Sequence, residues 1–185
     1  MNVVLRRCPA CSGELLGRSG LSWLTCRDCP LAIDPFTSPV ERLTTYRPEG
    51  ETGEAPLRLA FYVFDVGSEE SPTPIWIQAF RAIDTTGQDA GEVLTQKKHA
   101  PGLVQAPLGA GMARTPGEAL ALLRLRQGAE SVGAEAPRFR LVSLPCKLSG
   151  ERITEPVSGA SFWRKALRPP AGPSRGTVST SPAPG

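Results

Sequence analysis

The alternation of apolar and polar side chains predicts a β-rich fold. The strongest strand signal is the run 57–66 (LRLAFYVFDV), in which alternate residues form two apolar faces. One face consists of Leu57, Leu59, Phe61 and Val63, and the other of Arg58, Ala60, Tyr62 and Phe64. A second run, 75–83 (IWIQAFRAI), also carries apolar residues on both faces. We expect the two runs to pair antiparallel in the interior of a sheet, across a turn region at 67–74.

Weaker strands are predicted in the second half of the chain. The runs 138–144 and 152–157 flank Ser149 and Gly150, a turn pair that indicates a hairpin. A short strand is also predicted at 103–105. Together with the two stronger runs, these segments predict a mainly antiparallel sheet.

The clearest helix signal is a capping box. Thr115 precedes Pro116 and is followed three residues later by Glu118, and the strong helix formers of 119–126 end near Gly128. The apolar stripe of this helix is expected to consist of Leu120, Leu122, Leu123 and Leu125. We expect the helix to pack across the sheet.

Two shorter helices complete the predicted elements. A second capping box begins at Asp89 and is followed by only one apolar turn, so this helix should end by Lys97. The other is predicted at 161–167, with Phe162 and Leu167 facing inward.

Four cysteines near the N-terminus give the most specific motif. They form two C-x2-C pairs, Cys8 with Cys11 and Cys26 with Cys29, separated by 14 residues. The intervening chain predicts a short hairpin, with strands at 14–17 and 21–25. A hairpin with two C-x2-C turns is the arrangement of a zinc ribbon, and four thiolates suit one tetrahedral Zn²⁺. Because four protein ligands leave no open position for a water, the predicted zinc is structural, one ion per chain.

Other uses of the same four thiols were weighed. Paired C-x2-C turns also hold iron in rubredoxin-like sites, and spacing alone does not separate the two metals. Two disulfides would require an oxidising compartment, for which the sequence gives no export signal. A redox-active pair would require a helix N-terminus within a βαβ unit, which neither pair has. Zinc is therefore the favoured metal.

Composition and charge set limits on location and partners. The 185 residues carry a net charge of +3, and residues 111–185 hold 11 basic and 5 acidic side chains. That excess is too dilute to indicate a nucleic-acid surface. The sequence contains no apolar run long enough to span a membrane. With no signal-peptide pattern and metal-spaced thiols, the protein is expected in the reducing cytoplasm.

The same patterns predict the domain organisation. Residues 1–36 are expected to form the ribbon and residues 57–167 an α+β domain with an antiparallel sheet. The segment 37–56 is rich in Pro, Gly, Thr and Glu and is interpreted as a linker. Residues 168–185 contain five prolines and one large apolar side chain and are predicted to be disordered.

No other residues form a convincing catalytic set. His99, the only histidine, lies in a Gly/Pro-rich stretch and is expected in a surface loop. Cys146 is expected to be a small buried hydrophobe. Several acidic residues are expected to be solvated turn residues: Asp65, Glu69, Glu70 and Asp84. Trp23 and Trp76 are expected in the core. The protein is therefore predicted not to be an enzyme.

Three segments resemble a known group of proteins. The motifs CPACSG…CRDC, LRLAFYVFDV and PIWIQAFRAI are similar to those of a loose group of uncharacterised bacterial zinc-ribbon proteins, in which a ribbon precedes a β-rich domain. The resemblance covers residues 8–167. It implies a structural metal at the four N-terminal cysteines and no activity.

Two functions follow as expectations. The first is a non-enzymatic module that binds a protein partner or serves as an accessory subunit of a larger assembly. The alternative is a nucleic-acid-binding ribbon with a regulatory or transcription-related role, for which the contacts would be Arg6, Arg7, Arg18, Arg27 and Trp23. The second is less favoured because acidic side chains offset this basic group.

Overall fold

The computed structural model describes residues 7–17, 23–34, 37, 39–51, 57–80, 90–110, 112–133 and 135–163. Within them the fold is α+β, rich in sheet with few helices, as predicted. The strands are β1 (Leu15–Leu16), β2 (Leu24–Cys26), β3 (Leu31–Asp34), β4 (Glu41–Pro48), β5 (Leu57–Ser68), β6 (Ser71–Gln78), β7 (Leu103–Gln105), β8 (Phe139–Ser149), β9 (Arg152–Thr154) and β10 (Ser161–Trp163). The helices are α1 (Ala90–Gln96), α2 (Pro116–Gln127) and α3 (Ala129–Val132).

The strands form one sheet in the order β1-β2-β3-β4-β8-β5-β6. Among the described strands, every pairing is antiparallel except that of β4 with β8, which is parallel. The predicted pairing of the two strongest runs is confirmed, since β5 and β6 form a hairpin from Phe61 opposite Gln78 to Ser68 opposite Ser71. The tight turn therefore lies at Glu69 and Glu70, and the rest of the predicted turn region belongs to the strands.

The two apolar faces predicted for 57–66 are confirmed. Each face lies in its own core, and helices or short strands cover both. The first core joins one face of β5 to α2 and α3, through Ala60, Tyr62, Phe64, Ala119, Leu123 and Val132. The second joins the other face to α1, β9 and β10, through Leu59, Phe61, Val63, Leu94, Ile153 and Phe162. The sheet is thus buried on both sides at its centre.

The position predicted for β6 is wrong, because β6 is the last strand in the order and not an interior one. Both of its faces are apolar because the two cores lie on opposite faces of the sheet. On its outer side, the Trp76 amide donates to Thr95 Oγ1 of α1 at 2.9 Å. Pro74 and Pro72 lie two and four residues earlier on that same side and offer no N–H. The edge is therefore protected by a helix and two prolines.

The predicted linker 37–56 is also corrected. Eight of its residues form β4, which pairs with β3 through residues 41–44 and with β8 through Thr45 and Tyr46. The short alternating run around Leu43 is sufficient for a strand once partners lie on both sides. The division into domains at 1–36 and 57–167 stays a prediction, while strand β4 joins the cysteine-bearing strands to the central sheet.

The helix signals were mostly correct. In α2, Thr115 Oγ1 accepts from the Glu118 amide at 3.2 Å, and the Glu118 carboxylate accepts from the Thr115 amide at 2.8 Å. The helix ends at Gly128, whose φ is +82°. Its predicted stripe is wrong in part, because Ala119 and Leu123 are buried whereas Leu125 is 82% exposed.

The remaining predictions have mixed outcomes. Helix α1 ends at Gln96, and the strands predicted at 103–105, 138–144 and 152–157 correspond to β7, β8 and β9. The helix predicted at 161–167 is wrong at its start, because Ser161–Trp163 pair with β9 as strand β10. Residues 164–167 and the predicted tail 168–185 lie outside the described residues.

Candidate metal centre

Two turns bring the four cysteines together. In the first, the Cys8 amide donates to Gly13 O at 2.8 Å and the Ser12 amide to Cys8 O at 2.9 Å. Ser12 has a φ of +61°, which closes this turn tightly. In the second, the Leu31 amide donates to Cys29 O at 2.8 Å. The short hairpin of β1 and β2 brings the turns together, with Leu15 opposite Cys26.

The sulfur atoms have the spacing of a four-coordinate site. The Sγ atoms of Cys8 and Cys29 are 3.6 Å apart and those of Cys11 and Cys26 are 3.5 Å apart. All four Sγ atoms lie within 4.8 Å of one another. Sulfurs about 2.3 Å from a tetrahedral Zn²⁺ would be about 3.8 Å apart. The four cysteines predicted as ligands therefore form a cluster of the right size for one metal ion.

Backbone amides point at three of the sulfurs. The amides of Ala10, Gly13 and Asp28 lie 3.4 Å from the Sγ atoms of Cys8, Cys11 and Cys26 respectively. Each amide comes two residues after its cysteine, which is the geometry that a C-x2-C turn imposes. N–H donors of this kind stabilise thiolates, which are the form that binds metal.

The thiols also perturb one another's ionisation. Burial raises the pKa of Cys8, but the amides of Ala10 and Cys11 and the neighbouring thiols outweigh it and bring the pKa to about 7. Burial and the other three thiols raise the pKa of Cys29. The thiolate of Cys8 thus forms readily while the thiol of Cys29 retains its proton, and a bound cation would supply the positive charge that lets all four cysteines bind as thiolates.

The cluster is closed rather than catalytic in form. Cys8 and Cys26 are buried, Cys29 is half-buried and only Cys11 is exposed. Four sulfur ligands fill a tetrahedral shell and leave no position for a reacting water. The fifth cysteine, Cys146, lies in the second core on β8, apart from this cluster.

The prediction for His99 is wrong, and that for Cys146 is confirmed. His99 is 6% exposed, with its ring against Trp76. The stretch is Gly/Pro-rich, but the His99 amide donates to Leu94 O of α1, a contact that composition does not reveal. Cys146 is 1% exposed, and burial followed by the nearby Glu155 raises its pKa to about 12. It is therefore a neutral thiol at physiological pH and not a nucleophile.

Among the described residues, the other candidates from the sequence form no second cluster of metal-ligating side chains. Trp23 and Trp76 are buried in the two cores, as predicted. Asp65 is not the solvated turn residue that was predicted, because it lies within β5 and forms an ion pair with Arg140. Glu69 lies 3.8 Å from Arg138 at an exposed position, and Glu70 is exposed. Asp84 lies outside the described residues.

Sequence reasoning missed several buried polar groups, among them Glu155 and Thr45. Glu155 is fully buried in the turn after β9, and Thr45 is fully buried in β4. No local signal distinguishes either from a solvated residue, because their partners are distant in sequence.

Comparison with protein-family models, with curated proteins and with solved structures gives no significant match. The resemblance to bacterial zinc-ribbon proteins is therefore carried by the sequence motifs alone. No helix in the described part of the chain is long and apolar enough to cross a membrane.

Proposed function

We propose that residues 8–34 are a zinc ribbon that binds one structural Zn²⁺ through Cys8, Cys11, Cys26 and Cys29. The observation that supports this most strongly is the convergence of all four Sγ atoms within 4.8 Å. Four thiolates suit either metal, and zinc is preferred over iron because a closed four-cysteine site is the usual form of structural zinc.

The proposed metal can be tested by its spectrum. Refolding the metal-free protein with Co²⁺ in place of zinc should give the intense visible bands of tetrahedral cobalt bound to thiolates. Cys26→Ser should weaken and shift these bands, whereas Cys146→Ala should leave them unchanged. Bands of an octahedral cobalt ion in the wild type would contradict the four-thiolate site.

We further propose that the protein is a non-enzymatic module that binds a protein partner or serves as an accessory subunit in the cytoplasm. The closed cluster and the neutral, buried Cys146 support a non-catalytic role. Reduced, metal-spaced thiols suit a reducing compartment. The test is co-purification of tagged wild-type protein and Cys26→Ser from native cells: the same partner should be retained by the first and lost by the second.

The nucleic-acid alternative is less favoured because of Trp23. Base stacking requires an exposed aromatic ring, and Trp23 is 2% exposed within the first core. Of the four arginines predicted as contacts, Arg6 and Arg18 lie outside the described residues. The other two are engaged, since Arg27 lies 3.4 Å from Glu14 and Arg7 donates to Ser12 O. We expect no binding to random DNA or RNA at physiological salt by fluorescence anisotropy. Micromolar binding that Arg7→Ala with Arg27→Ala abolishes would reverse this preference.

A further inference from the structure

The four sulfurs of the cysteine cluster differ in their access to solvent. Cys8 and Cys26 are buried and Cys29 is half-buried, whereas Cys11 is exposed. With a metal bound all four sulfurs are thiolates, so exposure decides which of them a small reagent in solution reaches. Cys11 is therefore the point at which such a reagent meets the cluster.

Cys11 has a thiol partner within reach on the other turn. Its Sγ atom lies 3.5 Å from Cys26 Sγ, and since the sulfurs of a disulfide are about 2.05 Å apart, the two need to approach by about 1.5 Å. Cys26 is held in β2 opposite Leu15, whereas Cys11 lies in the turn before β1, in none of the described strands. The approach can therefore come from the Cys11 turn while the strands stay paired.

The other two thiols are arranged in the same way. The Sγ atoms of Cys8 and Cys29 are 3.6 Å apart, and this contact also runs from the first turn to the second. Disulfides formed along the two contacts would link the same two turns that a metal links. A disulfide inside one C-x2-C turn would leave the turns unconnected.

We propose that the cysteine cluster is a thiol switch, in which a hydroperoxide oxidises Cys11, Cys26 closes a disulfide with it between the two turns, and the site loses its metal. This switch rests on the proposed metal site and is a means of regulating it. In a reducing compartment the disulfides that do form are usually transient, and many are redox-sensing. A bond that a dithiol reopens by exchange is of this kind.

The reaction balances with the hydroperoxide as the oxidant. The Cys11 thiolate attacks a peroxide oxygen, the O–O bond breaks, and a sulfenic acid forms at Sγ as hydroxide or alkoxide leaves. The Cys26 thiolate then attacks that sulfur, so that the S–O bond breaks, the S–S bond forms and hydroxide leaves. The two sulfurs supply the two electrons that reduce the peroxide, and two protons from solvent neutralise the leaving groups. The metal ion keeps its oxidation state and is released because two of its four ligands are gone.

Hydrogen peroxide is the probe for the first test. Zinc-loaded wild type is treated with it while a colorimetric chelator follows free zinc and peptide mass spectrometry maps the disulfides. We expect the loss of about one zinc per chain, a first disulfide between Cys11 and Cys26, and renewed zinc binding after dithiothreitol. Cys146 is the internal control, because it is buried in the second core and should remain a free thiol. A first disulfide inside either C-x2-C turn would overturn the switch.

Cys11→His tests whether the exposed sulfur is the one attacked. An imidazole can replace a thiolate in a Cys3His zinc site, but this variant lacks the exposed thiol. Per zinc bound, peroxide should release the metal more slowly from Cys11→His than from the wild type. The matched variant Cys8→His keeps Cys11 and should release its zinc at the wild-type rate. Equal rates in Cys11→His and the wild type would contradict the role of Cys11.

Two results separate the switch from the metal site. A wild type that binds no metal would refute the metal site, and the bond between Cys11 and Cys26 would then be tested by adding peroxide to the reduced, metal-free chain. Zinc-loaded protein that keeps its metal and its free thiols in excess peroxide would leave the metal site standing and refute the switch.

Discussion

Thr45 is the residue through which the cysteine turns are joined to the central sheet. Its amide donates to Pro30 O at 3.0 Å, directly after Cys29, and its carbonyl accepts from the Ala106 amide at 3.1 Å. Its Oγ1 donates to Ala106 O at 2.6 Å. One edge of β4 pairs with β3 through the residues before Thr45 and with β7 through the residues after it. Thr45 therefore lies at the point where this edge changes partner.

Thr45→Val tests this junction with little change in shape. Valine keeps both backbone bonds and the β-branched side chain but removes the hydroxyl, so the Ala106 carbonyl loses its donor in a site with no exposure. Removing one partner of a buried hydrogen bond costs about 1–3 kcal/mol. We therefore expect the free energy of unfolding to fall by about 2 kcal/mol in urea denaturation of the zinc-loaded protein.

Thr44→Val is the matched control. Thr44 is the preceding residue of the same strand, and its side chain is exposed. The same substitution there should change the free energy of unfolding by no more than about 0.5 kcal/mol. Equal losses in the two variants, or a negligible loss in Thr45→Val, would refute the view that the Thr45 hydroxyl stabilises this junction through Ala106.

Three further predictions follow from the described contacts. Leu123→Ala should lower the free energy of unfolding by about 2–5 kcal/mol, since Leu123 is fully buried, whereas Leu125→Ala should change it by no more than about 0.5 kcal/mol. Thr115→Ala should cost about 1 kcal/mol in the same denaturation assay, because α2 loses its N-cap. Pro74→Val should add an N–H to the outer side of β6 and increase self-association in sedimentation velocity; an unchanged monomer fraction would contradict the protective role of Pro74.

Local rules predicted the elements whose partners lie close in sequence. The alternation in 57–66 identified both faces of β5, and the Thr115 capping box identified the start of α2, because each depends on neighbouring residues only. The two C-x2-C pairs likewise predicted which sulfurs come together, because each tight turn fixes two of them and one hairpin brings the pairs together.

Features that depend on distant partners were missed. Strand β4 lies in a stretch rich in prolines and glycines, and it is a strand because β3 and β8 pair with its two edges. The apolar faces of β6 were interpreted as evidence of an interior position in the sheet. Apolar faces show only that other elements pack above and below a strand, and they do not show whether another strand pairs with each of its edges. His99 is buried because Trp76 and Glu155 surround it, and neither is a sequence neighbour.

The central claim is one structural zinc bound by the four N-terminal cysteines, and metal content tests it most directly. Elemental analysis of the purified protein should give about one zinc per chain and no stoichiometric iron. Cys26→Ser should lower that content sharply because it removes a buried ligand, whereas Cys146→Ala should leave it unchanged. Stoichiometric iron in the wild type, or full zinc in Cys26→Ser, would contradict the account.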